Sequence, residues 1–323
     1  MNNRQINITF RKAISHAINY SYIIEELTNN TAVRLQSPFP FGMKFVNWSF
    51  DYPVFNLTRA RQIMQSMGFG IGFNLFDDTE WVNQETTAPF AIYNYTYNIG
   101  NNLREGILVL LQDNLAKIGI RVWGAGMSLS DFYNRFFERL TYHRNQLQLY
   151  WFSWGTVYYN DPHPYIFQIF SNATIAHLSG NGAQYNGGRG SGGPFLPYGE
   201  YPHDPAKDVQ LLMEAALHET NLAAREAMYD TIQQLLVERD FPLAWGICDK
   251  IIHAHSVDLT GFQQNYLNWL YFYPCEWRPY DYSMVISSPP NITYEVGDTG
   301  HSISWTITAD PLEDPLYFIY ENN

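Results

Sequence analysis

Asn101-Asn102-Leu103-Arg104-Glu105-Gly106-Ile107-Leu108-Val109-Leu110-Leu111-Gln112-Asp113-Asn114-Leu115-Ala116-Lys117-Ile118-Gly119-Ile120-Arg121-Val122-Trp123 carries the fold class. Leu103, Ile107, Leu110, Leu111, Leu115 and Ile118 recur at helical spacing and predict a helix over 101–117. Gly119 stops it, because glycine takes the left-handed backbone that closes a helix without a Cβ clash. Ile120-Arg121-Val122-Trp123 then opens a strand. A helix, a glycine and a strand in immediate succession belong to an α/β layer.

The flanks extend that layer. Residues 90–97 (Phe-Ala-Ile-Tyr-Asn-Tyr-Thr-Tyr) are β-prone, a helix is expected at 130–140, and a strand at 146–153. Toward the N-terminus, Ala13, Ile14, Ala17, Ile18, Ile23, Ile24 and Leu27 predict one amphipathic helix over 9–28. Ser37-Pro38-Phe39-Pro40-Phe41-Gly42 is irregular, and Asn56 caps a short helix, 58–67, that stops at Gly68.

Toward the C-terminus, a Gly/Asn/Pro loop runs from His177 to Tyr201. It lacks the Gly-Lys-Ser/Thr ending of a phosphate loop. Helices at 205–219 and 221–239 and a strand from Phe241 to His253 follow. Ser287-Ser288-Pro289-Pro290 reads as a linker, and alternating strands at 292–297 and 302–308 look like the opening of an immunoglobulin-like sandwich.

Composition narrows the function. A net charge of −12 argues against nucleic acid, which needs clustered Lys and Arg. No run of 18 apolar residues exists to span a membrane, and residues 1–7 lack an apolar signal-peptide core. Tyr, Phe and Trp make 17% of the chain, a supply of flat surfaces with polar edges suited to peptides or sugars, although most such rings simply fill cores. Asn-x-Ser/Thr occurs at Asn7, Asn19, Asn29, Asn47, Asn56, Asn94, Asn172 and Asn291, an excess that points outside the cytosol. Cys248 and Cys275 are too few for a disulfide scaffold or zinc site, and leave one bridge and two separate thiols equally open.

Catalytic patterns carry little. Asp77-Asp78 with Glu80, and Glu25-Glu26, read as solvated charges at helix ends more readily than as acid/base pairs. His253 and His255 share one strand face without a third metal ligand nearby. Ser153, Ser179 and Ser191 lack a nucleophile-elbow context. No catalytic residue, metal or cofactor is expected.

Five segments, in order, resemble the family of periplasmic oligopeptide-, dipeptide- and nickel-binding proteins, the solute-binding family 5 of ABC importers. Phe10 to Tyr20 is similar to the family's "Val-Arg-x-Ala-hydrophobic-x-x-Ala-hydrophobic-Asp-Arg" helix, with Asn19-Tyr20 in place of Asp-Arg. Asn56 to Gly68 resembles "Tyr-x-Pro-Glu-x-Ala-x-x-Leu-Leu-x-x-Ala-Gly", and Leu108 to Val122 "Leu-x-x-hydrophobic-Gly-Ile-x-Val". Trp154 to Pro162 looks like the Gly-Trp-x-x-Asp-x-x-Asp-Pro loop, and Asp230 to Pro242 like "Tyr-x-x-x-Gln-x-x-Leu-x-x-Asp-x-Pro".

The resemblance implies an α/β fold, the second lobe of a type II (cluster C) periplasmic-binding-protein fold, with a short β tail. It implies three parts: the second lobe over 1–245, strands returning to a first lobe that is not present over 246–282, and a linker with a truncated immunoglobulin-like segment over 283–323. Ile251, Ile252, Phe262, Tyr266, Trp269, Leu270, Tyr271 and Phe272 are then expected to expose apolar surface. A signal peptide is expected upstream of Met1.

The implied role is the extracytoplasmic, non-enzymatic capture of a peptide or oligosaccharide between two lobes, for ABC permease subunits. Membrane association would come through a tether or the permease. Trp154, Tyr158, Tyr159, Asn160 and Leu129 are the implied ligand-binding residues, while Asp161 and Pro162 read as a helix cap and first turn. Val157 stands where peptide binders carry an acidic residue for the ligand's amino terminus, and one inserted residue moves Tyr158 into that slot. Leu129 replaces a Trp found in some peptide binders. Burying an ammonium without a carboxylate is costly, so a longer peptide held by its backbone, or an oligosaccharide stacked on aromatics, fits better than a dipeptide. The alternative is a structural or adhesive surface protein with a binding-protein-like lobe and immunoglobulin-like repeats.

Overall fold

The structure, a computed structural model, describes residues 1–3, 5–137, 146–155, 160–174, 181–185, 205–250 and short pieces beyond, at 254–256, 258–264, 270–271, 274–277, 285–286 and 307–308. The chain divides into two compact units, 1–252 with 265–269, and 253–264 with 270–323.

At the centre of the first unit is a parallel sheet in the order β3-β2-β4, formed by β2 (Ala91–Asn98), β3 (Ile120–Met127) and β4 (Leu149–Tyr150). β2 and β3 pair from Ala91↔Ile120 to Asn98↔Met127, and β4 joins at Tyr95↔Leu149 and Thr96↔Tyr150. Parallel neighbours need a crossover, which α5 (Asn102–Ala116) supplies. Asn101 starts α5 by accepting from the Arg104 N–H, and Gly119 closes the turn at φ +75°. Ile107, Leu110, Leu111 and Leu115 are the buried face of α5.

α1 (Ile8–Ala17) and α3 (Leu57–Ser66) add to the same core, with Phe10, Ala13, Ile14, Ala60, Ile63 and Met64 turned inward. The single helix expected over 9–28 is broken. Ile18 is extended, Asn19 accepts from the Tyr22 N–H, and a new turn, α2 (Tyr20–Tyr22), runs into a π-helical turn at Ile23–Leu27. The Asn19 side chain offers the backbone a cap where the periodicity would carry one helix through. A helix not anticipated, α4 (Thr79–Thr87), is polar apart from Trp81 and Val82, and its fully buried Trp81 indole leaves no room for a Cβ at Gly70.

A second core gathers α7 (Pro162–Phe170), α8 (Val209–His218) and α9 (Leu222–Gln234) around Ile166, Phe170, Met213, Tyr229, Ile232 and Leu236. Phe39 and Met43, from the irregular Pro-rich stretch, plug it. α9 passes into a π-helical turn, Leu235–Asp240, that ends at Phe241 in the left-handed conformation. β1 (Ala32–Arg34), also unanticipated, pairs antiparallel with β5 (Ile247–Asp249); of the strand expected over 241–253, the described part outside β5 is irregular and 251–253 lie outside the described residues. The strand expected over 146–153 contracts to β4. Between α5 and α7, α6 (Leu129–Phe137) buries Phe132 and Phe136.

In the second unit the described pieces pair antiparallel: Leu259–Thr260 with Glu276–Trp277, Gln263–Gln264 with Leu270–Tyr271, and Val285–Ile286 with Ile307–Thr308. The rest of the two tail strands expected over 292–308 lies outside the described residues, as do Ile251, Ile252, Tyr266, Trp269 and Phe272. Phe262 is half-buried. Cys248 and Cys275 are both free thiols.

Three of the Asn-x-Ser/Thr asparagines, Asn7, Asn19 and Asn56, are helix N-caps. At those positions the pattern has a folding reason of its own. The carboxylates considered for acid/base work are tied up structurally: Asp78 pairs with Arg61, Asp77 accepts from the Thr79 N–H, and Glu80 from the Asn74 N–H. Glu25 and Glu26 are exposed on the π-helical turn. His253, Ser179 and Ser191 lie outside the described residues, and His255 is exposed, its ring stacked on Phe262.

Candidate functional site

Strand β4 ends at Tyr150, and the chain leaves the sheet as Trp151-Phe152-Ser153-Trp154. Those residues form one wall of a cavity of about 280 Å³. The rest of the lining comes from the first core through residues such as Ile14, Ile18, Tyr95 and Ile107, and from the second through residues such as Tyr165, Ile169, Phe170 and Trp245. The cavity therefore lies on the seam between the two cores of the first unit. Gly246 permits the seam to close, because a Cβ there would sit 2.6 Å from the Trp151 ring.

Trp154 is half-buried and continues a run of aromatic rings. Phe136 and Phe152 stack face to face with centroids 3.8 Å apart, and Phe152 lies 6.0 Å from Trp154. Stacked rings at such separations form stiff apolar surfaces. Among the described lining residues Asp249, on the exposed end of β5, is the one charged side chain, and Ser153 is exposed beside Trp154.

Two residues of the cavity lining carry buried polar groups: Tyr95 is 1% exposed and Trp245 is 4% exposed, and the Tyr95 hydroxyl and the Trp245 Nε1 have no hydrogen-bond partner among the described residues. Burial holds the Tyr95 phenol well above its ordinary pKa, so it stays protonated and able to donate. The alternation Tyr93-Tyr95-Tyr97 in β2 was the available sequence signal for such a group, since alternate strand residues share a face. Trp245 had none.

The residues singled out from the sequence are not all gathered here. Trp154 lines the cavity. Leu129, at the start of α6, is 48% exposed and is not among the lining residues. Asn160 is exposed and accepts from the Lys44 N–H at 2.6 Å, tying down the Pro-rich stretch. Tyr158 and Tyr159 lie outside the described residues. Asp161 is the N-cap of α7, accepting from the His163 N–H at 2.9 Å, with Pro162 in the first helical position. Its second oxygen pairs with Arg225 of α9 at 2.7 Å. Asp161→Ala removes both the cap and that pair, and is expected to cost about 1–3 kcal/mol of stability in a urea titration.

Residues 1–177 match the sequence model for the middle of the bacterial extracellular solute-binding proteins, family 5. No curated protein matches the sequence. Among solved structures, HbpA2 from Haemophilus parasuis superposes with a TM-score of 0.61 at 17% identity, over 84% of this chain and 45% of that one. DppA from Helicobacter pylori, in complex with the peptide STSA, gives 0.56 at 19% identity over 81% and 43%. NikA from Staphylococcus aureus, in complex with Ni(L-His)2, gives 0.55 at 15% identity over 82% and 46%. The chain spans less than half the length of each of these structures. Their likeness shows an α/β fold of the type II periplasmic-binding-protein kind. With the family match covering more than half of its 323 residues, the chain belongs to the bacterial extracellular solute-binding proteins of family 5.

Proposed function

We propose that this chain is the second lobe of the substrate-binding component of a peptide-type ABC importer. The observation that carries the reading is Trp154, in the chain that leaves the carboxyl end of a parallel strand, on the wall of an aromatic-lined cavity. In open α/β sheets, ligands lie outside the carboxyl ends of the strands, and an apolar cavity with a few placed polar groups is the usual form of a small-molecule site. Family members are extracytoplasmic binding proteins without catalytic machinery, and no helix among the described residues is long and apolar enough to cross a membrane.

On this reading residues 1–245 form the lobe, 246–282 lead toward a first lobe, and 283–323 form a linker and β segment. The protein works outside the cytoplasm, tethered or recruited by permease subunits. The ligand is a peptide longer than two residues or an oligosaccharide. Asp249 as the charged residue in the wall supports this over a ligand whose charged ends are clamped inside the lobe.

Thermal-shift titration of the protein containing this chain, with peptides of two to nine residues and with linear oligosaccharides, tests the assignment. Tripeptides or longer peptides, or the sugars, are expected to raise Tm. Trp154→Ala is expected to weaken that binding about tenfold to thirtyfold, the effect of removing a buried aromatic contact. Stabilisation by dipeptides above all others sinks the longer-ligand reading, and no response to either class removes the binding role.

A further inference from the structure

A groove of about 710 Å³ is lined by α1, α3, the end of α9 and the π-helical turn that follows it, and shares no lining residue with the cavity of Trp154. Four of its 13 described lining residues are cationic: Lys12, Arg59, Lys207 and Arg239. Lys and Arg number only 19 of the chain's 323 residues, and the net charge is −12. A concentration of positive charge against the overall balance makes a local field that favours an anion.

The partners of these charges decide which of them a ligand would meet. Arg239 closes on both oxygens of Asp240, at 2.5 and 2.8 Å, so its charge is answered within the chain. Glu238, the one acid among the described lining residues, accepts from the Asp51 N–H and from Gln234 Nε2. Lys12 and Arg59 have no carboxylate within ion-pair distance among the described residues. The Lys12 ammonium stands 5.1 Å from the centre of the Phe241 ring, and Arg59 reaches the Gln62 side chain at 3.5 Å. His16, one turn beyond Lys12 on α1, registers both charges. Burial lowers its pKa first, and Arg59 and Lys12 lower it further, against the hydrogen bond to the Val54 carbonyl and the smaller pull of Asp51.

We infer that this groove is a second binding site, for a small organic anion that carries an apolar body. Lys12 and Arg59 answer the negative group, while Ile63, Leu235 and Phe241 supply apolar lining for the rest of the molecule. Size favours this class of ligand: about 710 Å³ is within the roughly 300–1,000 Å³ of small-molecule sites, and a lone inorganic ion would leave most of it empty. The inference does not rest on reading the Trp154 cavity as a peptide or sugar site.

The test uses the whole 323-residue chain and three probes. Phenyl phosphate joins an anion to a ring, inorganic phosphate has the charge alone, and benzyl alcohol has the ring alone. Binding is followed by ligand-observed NMR titration at low salt. Phenyl phosphate is expected to bind about tenfold more tightly than either of the others. Lys12→Met and Arg59→Met are each expected to weaken it about twofold to fivefold, and added salt to weaken it in the wild type. Arg59 is exposed and Lys12 half-buried, so both variants are expected to keep the wild-type urea midpoint. Lys117→Met, which removes a cation outside the groove, is expected to leave the affinity unchanged. The inference is overturned if phenyl phosphate does not bind, or if the double variant Lys12→Met, Arg59→Met binds it as the wild type does. Equal binding of inorganic phosphate, meaning an adventitious ion only, overturns it too. So does equal binding of benzyl alcohol, or an equal loss in Lys117→Met. Peptide responses that depend on Trp154 bear on the importer reading and leave this groove untouched.

Discussion

Replacing Arg11 by methionine is expected to lower the free energy of unfolding by about 3–5 kcal/mol, the largest loss of any substitution considered. Arg11 is 1% exposed in α1. Its guanidinium donates from Nε to the Phe241 carbonyl at 2.9 Å, from Nη1 to the Ile6 carbonyl at 2.5 Å, and from Nη2 to the Asp240 carbonyl at 2.9 Å. Those acceptors lie in two chain segments, one before α1 and one where the π-helical turn after α9 ends. One side chain thus fastens the first core to the exit of the second. Methionine fills a similar volume but leaves three carbonyls without that donor, each a desolvation cost. Lysine is expected to recover only part of the loss, because a point charge cannot present the planar fork that reaches three carbonyls. Urea unfolding followed by tryptophan fluorescence measures both, and a midpoint unchanged in Arg11→Met refutes the assignment.

Gln233→Leu is expected to cost about 2–4 kcal/mol and to loosen a particular segment first. Gln233 is fully buried on α9, and its amide is used on both sides. Nε2 donates to the Phe45 and Tyr229 carbonyls, while Oε1 accepts from the Ser37 hydroxyl and the Asn47 N–H at 2.7 and 3.0 Å. Residues 37–47 contain two prolines and no regular element, so they lack a backbone ladder of their own to hold them. Leucine keeps the apolar volume and removes the four bonds. Limited proteolysis is expected to cut the variant within 37–50 well before the wild type, and coincident cutting elsewhere in both proteins would refute the local role.

Both residues sit in segments that the sequence made conspicuous, Phe10 to Tyr20 and Asp230 to Pro242, yet the reason for their importance was not visible there. The order of five weak patterns sufficed to place the chain in its family, since each was short and local. What those patterns hid was long-range bonding. Nothing near Arg11 in the sequence announced the carbonyls of Asp240 and Phe241. The break at Ile18 was hidden for the opposite reason. The apolar spacing from Ala13 to Leu27 continues through it, and only the Asn19 cap shows that two helical pieces share one periodicity. Helix α4 escaped notice because its sequence is polar, and a single buried tryptophan, Trp81, holds it to the core.

The candidate site divides in the same way. Trp154 was legible because it heads a loop pattern directly after a strand, and the Asp161-Pro162 pair has the form of a helix start. Leu129, named on the strength of the resemblance alone, is a solvent-facing helix residue among the described contacts. Tyr95 and Trp245 were not legible as a pair at all.

By itself, then, the sequence determined the α/β layer, the family and the strand end that carries Trp154, because helical spacing, a stop glycine and N-cap residues act over a few neighbouring positions. The tertiary structure alone decided that Arg11 and Gln233 lock distant segments, and that the Tyr95 hydroxyl and the Trp245 N–H are buried without a hydrogen-bond partner among the described residues. Burial and hydrogen-bond partnership arise from contacts between segments far apart in the chain, and no local pattern of residues encodes which of those segments will meet.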